Sequence, residues 1–392
     1  MIWQDWGGSR GQTRGLTRVS TGVIPQSLGD DARRVLDPCM PRLIPLNFFG
    51  IPFGLLGLAD SWLVSASFGL APVAIGRVMV AIAVLAWVVV GSAHLHGIAG
   101  SSGRVTLGAE LTDPVAGPFV SLVVLTPMLA AADALFPYSH TAGAVVVDIG
   151  VAWTIVLAGW FTGQWIYGRL ELANVHPGYF LPSVAGGFVA SASAALVGQT
   201  HLAEILFGLG VISWIVIGSI VLGRLFLGPP LATPLIPTIA IEVAPAAVAT
   251  FAAFAIDGHR VDTLVRVLAG YGVLMVVAQV RLLPTFLKLK FMPSFWAFTF
   301  AWAAVAFAGL FWLGVTHPAG WRTESYVALA LITAFVGAIA ARTVVALYRG
   351  QLIPAHVPAP TAHTTTPDIP RPERLLGVAD RGALSTSGAS DD

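Results

Sequence analysis

Apolar stretches about twenty residues long recur along the chain, divided by short polar breaks. An α-helix rises about 1.5 Å per residue, so about 20 apolar residues match the ~30 Å hydrocarbon core of a bilayer. Ten segments of this kind are centred on Leu43–Leu63, Val73–His94, Val115–Asp133, Val145–Trp165, Tyr179–Gly198, Leu202–Leu222, Pro237–Ile256, Leu264–Leu283, Phe295–Val315 and Tyr326–Val345. The ninth is the cleanest, with no charge from Phe291 to Thr316. The pattern predicts an all-α integral membrane protein with ten transmembrane helices.

Composition sharpens that reading. Charged residues make up 10% of the 392 and apolar residues 56%, with mean hydropathy +0.80; an ordinary soluble protein is about 25% charged. Residues 1–42 and 349–392 hold 19 charges in 86 positions, whereas residues 43–348 hold 22 in 306. A soluble fold cannot cover its core with so few charges. A net charge of +1 offers nucleic acid nothing to bind, and the single Cys39 builds no disulfide framework. Three regions follow: a disordered N-terminal tail over 1–42, a membrane domain over 43–348, and a Pro-rich disordered tail over 349–392. The polar, Arg-bearing start reads as a cytoplasmic tail and not as a signal peptide.

Basic residues orient the spans. With both tails inside, the cytoplasmic parts receive 17 Lys or Arg, and the outer side receives Arg77, Arg260, Arg266 and Arg322. The positive-inside rule then places the N- and C-termini in the cytoplasm of a multi-pass protein of the cell (inner) membrane.

Prolines divide the helices into two sets. Pro41 and Pro45, Pro114, Pro177, Pro237 and Pro293 precede the odd-numbered segments, and Pro52, Pro118, Pro127, Pro182 and Pro245 lie inside them. Even-numbered segments carry proline at their ends, Pro72 and Pro284, and none in their interiors. A mid-helix proline frees a carbonyl and kinks the chain. Within a membrane such irregular backbone persists where it is buried in protein or lines a watery path. The expected architecture is therefore five helical hairpins around a central pore lined by the odd-numbered helices.

Ionisable residues inside the spans are few. Glu242, three residues before Pro245, stands out as a candidate proton-coupling or pore-lining group. Asp60, Arg77, Asp133 and Glu204 lie near outer helix ends and read as interfacial. His94 and His96 are two apart and face different sides of a helix, so no metal site is expected, and no cofactor. Gly50, Gly54 and Gly57 suit close helix packing. Phe295, Trp296, Phe298 and Phe300 crowd the start of the ninth segment, where a Phe could close a hydrophobic constriction.

Several stretches, in order, resemble the tellurite-resistance/dicarboxylate transporter (TDT) family. They are Asn47-Phe-Phe-Gly-Ile-Pro-Phe-Gly54, Phe119-Val-Ser-Leu122, Phe180-Leu-Pro-Ser-Val-Ala185, Ile241-Glu-Val-Ala-Pro-Ala246, Arg281-Leu-Leu-Pro284 and Ser294-Phe-Trp-Ala-Phe-Thr-Phe300. The resemblance implies ten helices in five hairpins, usually a homotrimer with one pore per subunit, and no enzymatic activity. It implies passage of a small inorganic or organic anion: a C4-dicarboxylate such as malate, sulfite, or a tellurite-type oxyanion. It places a gating phenylalanine at Phe300, and Phe49 and Ser121 join Pro52, Pro127, Pro182 and Pro245 as pore-lining or kink positions. Glu242 stands where the bacterial channel type has Gln, and Ala301 where plant members have Pro. Two alternatives accompany this reading: a proton-coupled carrier using Glu242, and a membrane scaffold acting through its tails.

Overall fold

The computed structural model describes residues 44–100, 107–168, 170–258 and 260–352. Almost all of the two tails lies outside the described residues. Among the described residues ten helices are long and apolar enough to cross a membrane: α1 (Leu46–Ser67), α2 (Val73–Gly100), α3 (Gly117–Leu135), α4 (His140–Tyr167), α5 (Pro177–Leu196), α6 (Thr200–Leu227), α7 (Thr233–Ile256), α8 (Thr263–Phe286), α9 (Pro293–Thr316) and α10 (Trp321–Tyr348). A short helix, Leu107–Thr112, precedes α3. No strand occurs among the described residues.

The odd and even helices differ in backbone as well as in sequence. Every odd helix opens on a 3₁₀ turn: Leu46–Phe49, Gly117–Val120, Pro177–Phe180, Thr233–Val243 and Pro293–Phe295. Pro118, Pro177 and Pro293 occupy the first positions of these turns, where a missing N–H costs nothing. Two odd helices also contain a π turn, Ala131–Leu135 and Leu181–Ala185. The even helices run without such breaks, four of them for 28 residues. They also exceed their apolar segments; α10, for example, begins five residues before Tyr326 and ends three after Val345. Pro127 shows how a break is made good. It has no N–H to offer the carbonyl of Val123, and Trp87 Nε1 of α2 donates to that oxygen at 2.9 Å instead.

Packing sorts the same two sets into layers. α1, α3, α5, α7 and α9 touch in sequence, and α9 returns to α1, closing a ring. Their five 3₁₀ openings form a second closed ring at the near end, the end at which the odd helices begin. Each even helix packs on its hairpin partner, and α2, α4, α6 and α10 also touch the next odd helix round. Odd helices are 44–83% buried along their most apolar window and even helices 17–39%. The outer faces are themselves apolar, with Ile82, Leu85 and Val89 exposed on α2 and Ile205, Ile212 and Ile215 on α6. An apolar exterior around a buried inner ring is what a lipid-embedded protein presents.

Candidate functional site

A cavity of about 60 Å³ lies on the axis of the inner ring, and its wall comes from the odd helices alone. Three contribute stripes at helical spacing: Phe53, Gly57 and Asp60 from α1, Leu181, Ala185 and Val189 from α5, and Phe300, Ala303, Ala304 and Phe307 from α9. Leu129 of α3 and a stripe of α7 from Ile241 to Phe251 complete it. Small residues at mid-height leave the space, and aromatic rings bound it. Phe53 and Phe300 meet with centroids 5.5 Å apart, and Phe251 meets Phe307 at 4.4 Å. One turn further along α9, Phe311 stacks on Phe254 at 4.3 Å.

Close approach of α1 to α9 sets the width. A Cβ at Gly54 would collide with the Thr299 side chain, and one at Gly57 would lie 2.9 Å from Ala303 Cβ. The glycines thus serve the close packing expected of them. Trp296, fully buried, donates from Nε1 to Thr343 Oγ1 at 2.9 Å and ties the start of α9 to α10.

The model of the voltage-dependent anion channel family (SLAC1) matches residues 44–344, which is the whole ten-helix ring bar its last turn. The chain belongs to the voltage-dependent anion channel family. It is also 28% identical over 312 residues to the tellurite resistance protein TehA homolog of Haemophilus influenzae, covering 79% of this chain and 93% of that protein. Members of this voltage-dependent anion channel family are transporters or channels, so the protein is a membrane transport protein and not an enzyme.

Within this anion channel family member, Phe300 borders the cavity. Phe49, Pro52, Ser121, Pro182, Pro245 and Glu242 are buried in the inner layer without forming part of the cavity wall, and Pro127 is half-buried there. Glu242 follows Ile241 in the 3₁₀ opening of α7. Its Oε1 has no hydrogen-bond partner, and its electrostatic neighbour is Tyr271 of α8.

Two carboxyls overturn the interfacial reading. Asp60 is 7% exposed and sits in the cavity wall, and its side chain hydrogen-bonds that of Asp133 in the π turn of α3. Asp60 is seven residues after Phe53, on the same helical face, so its partnership with the axis is carried by spacing and not by distance from the helix end. Arg77 and Glu204 remain near helix ends, with Arg77 over the Tyr138 ring at 5.3 Å.

At the near end, His176 precedes α5 and is fully buried. Its Nδ1 accepts from the Gly178 N–H at 3.1 Å and its Nε2–H donates to the Val115 carbonyl at 3.2 Å, fixing the neutral tautomer. Burial lowers its pKa from 6.5 to about 4, against the pull of the Val115 carbonyl and Asp113. The unfolded chain takes up this proton near pH 6.5 and the folded chain resists it until about 4. Stability is therefore full above pH 6.5 and falls by about 3 kcal/mol in all as the pH drops through that window. His176→Gln is expected to flatten the fall in thermal midpoint between these two pH values; parallel curves for the two proteins would refute this assignment. On α2, His94 Nδ1 lies 2.6 Å from the Ile44 carbonyl and its Nε2 lies 3.2 Å from Glu110. Among the described residues no three His, Cys, Asp or Glu are placed to hold a metal ion.

Proposed function

We propose that this protein carries small anions across the membrane along the axis of the inner ring, with Phe300 as the side chain that occludes the path. The observation that carries the reading is the axial cavity, walled by the five broken helices alone and bounded by the Phe53–Phe300 and Phe251–Phe307 contacts. Helices that start on 3₁₀ turns around one axis direct backbone N–H dipoles toward it, and these attract anions without fixed Lys or Arg. The aromatic rings supply the hydrophobic constriction. C4-dicarboxylates such as malate, sulfite and tellurite-type oxyanions are the proposed substrates; the last takes support from the name of the Haemophilus relative. The proposed setting is the inner membrane with both termini cytoplasmic, as a homotrimer with one pore per subunit, its membrane domain spanning 43–348. A liposome flux panel over nitrate, chloride, malate, sulfite and tellurite tests the reading, and the absence of flux for every anion would sink it.

One observation favours a second reading, a proton-coupled carrier: the buried, unpartnered Oε1 of Glu242. Coupled transport moves protons into the vesicle lumen with the anion. That acidification is expected to vanish in Glu242→Gln, whereas anion current with no accompanying proton movement would leave the channel standing alone.

A further inference from the structure

The mechanism above makes no use of the carboxyl pair at the cavity. Asp60 of α1 and Asp133 of α3 belong to neighbouring members of the inner ring, and their side chains hydrogen-bond each other. An ionised carboxylate only accepts hydrogen bonds, so two carboxyls joined directly share at least one proton. Asp60 Oδ1 and Asp133 Oδ2 are buried and have no hydrogen-bond partner, and Asp60, more than nine-tenths buried, is the titratable residue in a cavity wall otherwise made of apolar side chains and Gly57.

Surrounding charges are engaged elsewhere. Arg77 of α2 stacks on Tyr138, and Arg322 of α10 on Trp321, each at 5.3 Å. On α4, Asp148 accepts from Gln199 Nε2 at 2.7 Å and His140 stands edge-on to Phe136. α9 carries no charged residue, and Tyr179 of α5 donates to the Pro114 carbonyl at the near end. Among the described residues neither aspartate has a cationic partner within salt-bridge distance.

We propose that Asp60 and Asp133 form a proton-binding site on the anion path, and that an anion passes the cavity only while both carboxyls are protonated. This inference rests on the anion-transport reading given above. With both carboxyls protonated the pair is neutral: one O–H donates to the partner carboxyl and the other is offered to an otherwise apolar space. Loss of one proton leaves a carboxylate, which in low-dielectric surroundings repels any anion that enters. The proton is a resident ligand that sets conductance; it is not carried with the anion, which separates this site from the coupling role considered for Glu242.

The test uses the full-length protein in liposomes with nitrate, a strong-acid anion that keeps its charge throughout. Wild-type conductance is expected to fall about tenfold per pH unit on the alkaline side of its midpoint, the slope of a single required proton. The double variant Asp60→Asn/Asp133→Asn keeps a donor at both positions and removes both titrating groups, and it should conduct at the wild-type acid level at every pH. An infrared band from a buried protonated carboxyl, present in wild type and lost in the double variant, is expected alongside and does not depend on flux. A wild-type conductance independent of pH, a double variant that retains the wild-type slope, or a conductance that follows sodium at fixed pH would overturn the proposal. Phe300→Ala separates the two levels. If that variant conducts nitrate and no pH slope is seen in any protein, the proton site fails and the transport reading survives; if it passes no anion, both fail.

Discussion

Phe300→Ala is expected to raise anion conductance about ten- to a hundredfold in reconstituted protein, which corresponds to removing roughly 1.4–2.8 kcal/mol from the barrier to passage. Phe300 lies against Phe53 at 5.5 Å and is 6% exposed, with Ala303 and Ala304 next along the same face of α9. Removing its ring joins the space beside it to the cavity and lets water reach a constriction that excludes it. Some stability should be lost as well, since truncating a packed Phe costs about 3–5 kcal/mol where the surroundings cannot relax. The rise in conductance is therefore to be read per folded molecule, normalised to monodisperse protein. Phe300→Leu should give an intermediate value, because a flexible branched chain fills part of the space. Single-channel or flux recordings that show the same or lower conductance in Phe300→Ala would remove Phe300 from the role proposed for it.

The second large effect concerns folding. At Gly187 of α5 a Cβ would lie 2.6 Å from the backbone N of Gly210 and 2.7 Å from its Cα, in α6. Backbone atoms of a packed helix cannot step aside as a side-chain tip can. The two glycines mark a close crossing, of the small-residue type that lets membrane helices approach. Ser191 fastens the same hairpin one turn on, donating from Oγ to the Ala203 carbonyl at 2.7 Å. Gly187→Leu is expected to force α5 from α6 at a cost of at least about 3 kcal/mol, the upper range for overpacking. Most of the protein should then be lost from the monodisperse peak after detergent extraction. Gly208 on the same α6 has nothing within 4 Å of its Cβ position, so Gly208→Ala should keep the wild-type thermal midpoint. Equal midpoints for Gly187→Leu and wild type would show that the crossing is looser than these distances imply.

Much of this architecture can be read from the chain before any coordinates. Lipid imposes a length on each apolar run, and proline imposes a backbone; together they separate α1, α3, α5, α7 and α9 from their partners. The π turns cannot be read this way. Pro127 announces an unpaired carbonyl, but that Trp87, forty residues earlier in the chain, answers it is a fact of tertiary packing. The cavity residues divide similarly. Phe300 stands out by its aromatic neighbourhood and the family-like stretch around it, whereas Phe251 and Phe307 look like ordinary packing until their rings are seen to meet on the axis. The burial of Asp60 is not announced by its place in the chain, for a physical reason. Nearness to a helix end suggests an exposed carboxylate, but the far end of α1 is covered by α3, and the side chain of Asp133 takes the place of water. The Phe53, Gly57, Asp60 spacing places it on the axial face of α1, which depth along the helix alone does not show.

Closure of the inner ring has a consequence for biogenesis. Beyond its own hairpin partner α2, α1 finds its most extensive neighbour in α9, across the contact of Phe53 with Phe300, roughly 250 residues later in translation. Until the ribosome delivers that helix, the earlier members can form only an open arc, and the glycine face of α1 must stay in lipid or under a chaperone. On the proposed reading, the path for an ion and the Phe300 barrier that shuts it come into being in the same step of synthesis, so a half-made chain is spared from becoming a leak.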